Sequence, residues 1–103
     1  MATMKENLRT IAEHYGYDAQ ARQLIEEMAE LTVALNKEWR ARVGYIAYDG
    51  DEMRKRIIEE IADVEVMLEQ IKYFHDCDYE VFCEKLRKTD RQVERMKKSG
   101  QSV

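Results

Sequence analysis

Apolar residues recur every three or four positions along most of this chain, and polar residues fill the intervals. That spacing is the helical period, about 3.6 residues per turn. Leu8, Ile11 and Ala12 predict a short first helix over about 5–15, ended near Gly16. Leu24, Met28, Leu31 and Leu35 predict a second, from an Asp18 N-cap to Arg42. Gly44 and Asp49-Gly50 then bracket a loop carrying Tyr45, Ile46 and Tyr48. Ile57, Ile61, Val64, Leu68 and Ile71 form the stripe of a third helix over about 51–74. A polar break at His75 to Asp78 precedes a fourth helix, from Tyr79 to Lys98. No stretch alternates long enough to argue a strand. Short connections between helices favour antiparallel neighbours, so the expectation is an all-α four-helix bundle.

The second and third stripes are copies of one another. Leu24-Ile25-Glu26-Glu27-Met28-Ala29-Glu30-Leu31 aligns with Ile57-Ile58-Glu59-Glu60-Ile61-Ala62-Asp63-Val64, with Glu60 in the place of Glu27. Such a repeat suggests two helices with the same job on either side of a pseudo-symmetry axis. Stepping about 100° per residue places Glu27 inside the apolar sector of its helix and Glu30 at the sector's edge. Glu60 lies inside its own sector in the same way, with Asp63 at the edge. Glu13, Glu38, Glu65, Glu69 and Glu94 read instead as solvated face residues.

If the two faces pack together, four carboxylates converge in a partly buried space. Unpaired anions there are costly. Protonation, basic partners or metal ions are the three ways to neutralise them. Four hard oxygen donors without nearby His or Cys fit Mg²⁺, or Mn²⁺, best. A di-iron carboxylate site would need a Glu three residues before a His. The only histidines, His14 and His75, follow Ile11 and Lys72 at that spacing. Both read as residues that cap or flank helix ends.

Composition narrows the class. The 103 residues suit a single domain, 1–103, with frayed ends about 1–4 and 99–103. A core of that size is modest, so a homodimer or homotetramer is expected. The net charge of −4 argues against a nucleic-acid partner. No apolar run approaches membrane-spanning length. The first residues lack a targeting segment, and two cysteines, Cys77 and Cys83, in no CxxC pair suggest reduced thiols and a cytoplasmic location.

The ordered halves, Glu26-Glu27-x-x-Glu30 and Glu59-Glu60-x-x-Asp63, followed by a basic helix, resemble the signature of MazG-like all-α nucleoside triphosphate pyrophosphohydrolases of the short single-domain type. The resemblance spans roughly residues 18–95. Where the family often carries Lys-Asn on its fourth helix, this chain has Lys88-Thr89. The resemblance implies Mg²⁺-dependent hydrolysis of a nucleoside triphosphate to monophosphate and pyrophosphate. It also implies Glu27, Glu30, Glu60 and Asp63 as metal ligands, and Glu26 or Glu59 as the acid that activates water, with Glu26 preferred. The alternative is a non-catalytic helical oligomer that binds nucleotide or a protein partner.

Several further residues are candidates for substrate contact. Lys85, Lys88 and Arg91 recur three apart and are suited to phosphate, or equally to acidic neighbours such as Glu84 and Glu94. Trp39, with Tyr45 and Tyr48, offers aromatic faces for a base, or for packing in a subunit interface. Gln20 and Gln23, two turns and one turn before Glu27, offer amides for a base edge.

Overall fold

A computed structural model describes residues 1–100. Among them are four helices and no strand: α1 (Met4–Tyr15), α2 (Tyr17–Arg42), α3 (Gly50–His75) and α4 (Asp78–Lys98). The expected frayed tail lies partly outside the described residues, at 101–103. No helix among the described residues is long and apolar enough to cross a membrane.

Local chemistry sets the helix ends. The Thr3 hydroxyl accepts a hydrogen bond from the Glu6 amide and caps α1. Asp49 Oδ1 accepts from the Glu52 amide at 3.1 Å and caps α3. The sequence assigned the α2 cap to Asp18, and this is corrected. α1 and α2 are separated only by Gly16, whose φ of 87° turns the chain, so α2 starts at Tyr17 and Asp18 lies in its first turn. The Gly16 amide closes α1 on the Ala12 carbonyl, and its own carbonyl accepts from Gln20 to begin α2. α3 ends in a Schellman turn: the Asp76 amide bonds Tyr73 O, and the Cys77 amide bonds Lys72 O. Asp76 supplies the left-handed residue at φ 49°. Both histidines fall in the last turn of a helix, and Tyr17 Oη lies 3.0 Å from His75 Nε2.

α2 and α3 form an antiparallel hairpin, with α1 laid against the end where α2 begins and α3 finishes. Ala12, Ala34, Ala41, Val64 and Met67 are its buried apolar residues. Two buried amides join the helices: Gln20 Nε2 donates to Gln70 Oε1 at 2.7 Å. A slip of register would leave both amides unsatisfied in the interior, at about 1–3 kcal/mol each. α4 packs closely on none of the other helices and buries no residue. The chain alone is therefore a three-helix body with a fourth helix beside it.

Candidate functional site

The repeated stripes meet at the middle of the α2–α3 hairpin. Carboxylate oxygens of Glu27, Glu30 and Glu60 lie within 4.8 Å of one another. Glu60 is only 4% exposed, Glu27 is half-buried and Glu30 opens to solvent. The set is therefore graded, from an enclosed floor to an accessible rim. Asp63, one turn beyond Glu60, is exposed and lies outside this trio, although its charge acts on Glu60.

Each buried acid is held by one oxygen and leaves the other free. Gln23 Nε2 donates to Glu27 Oε1 at 2.8 Å. Arg56 Nε stands 3.0 Å from Glu60 Oε1. Both Glu27 Oε2 and Glu60 Oε2 are buried without a hydrogen-bond partner. A buried carboxylate oxygen with no donor is unfavourable by several kcal/mol for a charged group, unless something compensates.

Electrostatics agrees with the geometry. Burial pushes the Glu60 carboxyl above its ordinary value. The Arg56 guanidinium opposes that shift, and the negative charges of Glu30, Asp63 and Glu27 reinforce it. The net direction is upward, so the single cation on one edge does not satisfy the site. Three like-charged acids around a buried carboxylate are a demand for positive charge. The donors are hard oxygens with no sulfur or imidazole among them, which suits a hard divalent cation.

The residues holding the acids were only partly legible. Arg56 went unnoticed in the sequence, and Gln23 was read as a contact for a base. Yet the two occupy equivalent places, each four residues before its acid, one helical turn away. Extending the repeat by one residue upstream of Leu24 and Ile57 aligns Gln23 with Arg56 and finds both. The Gln23 amide faces Glu27, and the Gln20 amide faces Gln70 in the interior.

The other candidates lie apart from the trio. Glu26 and Glu59 are exposed, each one residue before a converging acid, and neither belongs to the set. Lys85, Lys88 and Arg91 are exposed on α4, which the chain does not bring against the hairpin. Trp39 is half-exposed on α2, with its ring 6.1 Å from that of Tyr45. A cleft of about 480 Å³ runs from the connecting loop towards the site. Val33, Ala34, Ala47 and Met53 give it apolar walls, and Lys37 and Arg56 line it together with Asp49 and Glu52. A second cleft, of about 600 Å³, lies between α1 and the end of α3, where Tyr73 donates to Glu13 and Lys72 pairs with Glu69. The cleft beside Arg56 is the one that reaches a residue holding the acids.

Comparison with known proteins gave no matching family model, no matching curated relative and no matching solved structure.

Proposed function

We propose that this chain is a divalent-metal-dependent nucleoside triphosphate pyrophosphohydrolase with a MazG-like bundle, working as a homodimer or homotetramer. The observation that carries the reading is the pair of buried, unpartnered oxygens, Glu27 Oε2 and Glu60 Oε2, on two acids that converge with Glu30. Glu27, Glu30 and Glu60 would hold Mg²⁺ or Mn²⁺, and Asp63 would join them by a rotamer change at the rim. Bound metal would supply positive charge for the triphosphate oxygens and for the charge that develops as the bond breaks.

The chain's own groups account for the remaining tasks. Gln23 and Arg56 fix the rotamers of Glu27 and Glu60, as outer partners do for metal-binding carboxylates. Glu26, or Glu59, would accept a proton from a water at the exposed edge. Water adds to the α-phosphorus, the bond to the bridging oxygen breaks, and monophosphate and pyrophosphate leave. The cleft beside Arg56 has the size and the apolar lining of a small-molecule site. Lys85, Lys88 and Arg91 are the phosphate-binding candidates on α4, and Trp39 is the aromatic one on α2.

The test is a Mg²⁺-supported screen across nucleoside triphosphates, with pyrophosphate and phosphate measured separately. Pyrophosphate release that is lost in Glu60→Gln is expected. Phosphate release alone, or pyrophosphate release that survives this substitution, contradicts the reading.

A further inference from the structure

The repeat that builds the site is not symmetric in charge. Gln23, Glu27 and Glu30 on α2 align with Arg56, Glu60 and Asp63 on α3. At the first of these places α2 has an amide and α3 a guanidinium. Both reach the acid four residues further on, over 2.8 Å and 3.0 Å, and both take its Oε1. Both leave the buried Oε2 of that acid without a partner. The two side chains thus share one geometric task, and the neutral amide suffices for it. The charge on Arg56 goes beyond what holding the carboxylate requires.

That charge sets the balance of the site. Among the described residues, Arg56 is the one Lys or Arg that pairs with any of Glu27, Glu30 and Glu60. The three acids carry −3 when ionised, and with Arg56 the contacting groups carry −2. Asp63 is exposed and outside the trio, where water and counter-ions screen it. Glu60 is enclosed, so charges beside it are screened far less. A net −2 is neutralised by one divalent cation. A net −3 favours a trivalent ion, or leaves an anion uncompensated beside a buried carboxylate. Arg56 holds Glu60 Oε1 and leaves Oε2 free, so the guanidinium and a bound ion need not compete for one oxygen.

We infer that Arg56 sets the valence selectivity of the site: it matches the three acids to one divalent cation per chain and discriminates against trivalent ions. The inference rests on the metal reading above and adds to it a residue that chooses the charge of the ion. Coulomb energy scales with the product of the charges, so repulsion from Arg56 is half as large again for a trivalent ion as for a divalent one at the same place. A residue that only oriented Glu60 would affect both ions alike.

Calorimetric titration of Mg²⁺ and, separately, La³⁺ into the nucleotide-free full chain in phosphate-free buffer tests this. The wild type should take one Mg²⁺ per chain. Arg56→Gln keeps a donor one turn before Glu60, as Gln23 does for Glu27, and removes the charge. At low ionic strength it should bind Mg²⁺ about 3–10-fold more tightly and La³⁺ about 5–30-fold more tightly, so its preference for La³⁺ rises about 2–3-fold. Arg56→Lys keeps the charge and should keep the wild-type preference. Gln23→Arg adds a second cation and should weaken both ions, La³⁺ the more. Unchanged or weaker Mg²⁺ binding in Arg56→Gln, tightening by one factor for both ions, or two Mg²⁺ per wild-type chain overturns the inference and leaves the metal site standing. No saturable binding of either ion by the wild type removes the metal reading, and the inference with it.

Discussion

α3 and α4 are adjacent long helices with opposite circumstances. α3 buries Glu60, Val64, Met67 and Gln70, and so includes a charged group that apolar surroundings disfavour. α4 buries nothing and keeps Phe82, Leu86 and Val93 in solvent. A marginally stable chain retains a buried carboxylate with one unpartnered oxygen where function requires it, and leaves an apolar stripe uncovered where another surface will cover it. The first helix thus points to a ligand for the acids, and the second to a partner for the stripe.

Glu60→Gln breaks the comparison most severely. With the proposed metal reading, pyrophosphate release should fall by more than about 100-fold, since loss of a ligand exceeds the loss of an outer partner. The metal-free variant should also melt higher than wild type, because a neutral amide replaces a carboxylate held above its ordinary protonation range. A fall in both activity and metal-free melting temperature would mark Glu60 as structural. Next in size is Met67→Ala on α3, expected to cost about 2–5 kcal/mol in chemical denaturation. Val93→Ala on α4 should cost less in dilute solution and show its effect as protein concentration rises. Equal, concentration-independent losses would erase the distinction between the two helices.

Smaller effects sharpen the picture of the acids. Gln23→Ala and Arg56→Ala should each lower activity by about 10–100-fold through loss of carboxylate orientation. Wild-type turnover in both would mean that the acids are held by other means. The pH dependence has a defined sign. A carboxyl whose folded value is raised binds its proton more tightly in the folded state, so metal-free stability falls as pH rises from the unfolded value, 4.5, through the raised folded value. The gain in melting temperature on adding Mg²⁺ should therefore be larger at pH 7 than at pH 5. A gain independent of pH would separate it from Glu60.

Much of the fold was legible because the period of the apolar residues is local information. The four helices and their order follow from it, to within a residue or two at each end. The α2 cap was not legible, because Gly16 serves as the end of one helix and the start of the next, which leaves Asp18 no capping position. Burial was less legible than helicity. Leu24 and Leu31 read as core but are only half-buried, while Ala34, Ala41 and Val64 are buried, because helices brought close at small residues leave the larger ones at the margins. α4 carries the pattern of a bundle member, yet its contacts are not in its own chain. In the site, the phase of Glu27, Glu30 and Glu60 was visible in the repeat and the structure brings them together. The roles of Gln23 and Arg56 were hidden because an amide and a guanidinium do not look alike in sequence, although each reaches its acid from the same turn.

The central claim is that the buried acids are a site for a divalent cation. Calorimetric titration of Mg²⁺ into the wild-type chain and into Glu60→Gln, at pH 7 and matched ionic strength, tests it most directly. Saturable binding to the wild type, lost or strongly weakened in the variant, is the predicted result. Absence of binding at millimolar Mg²⁺, or equal binding by both proteins, would contradict it.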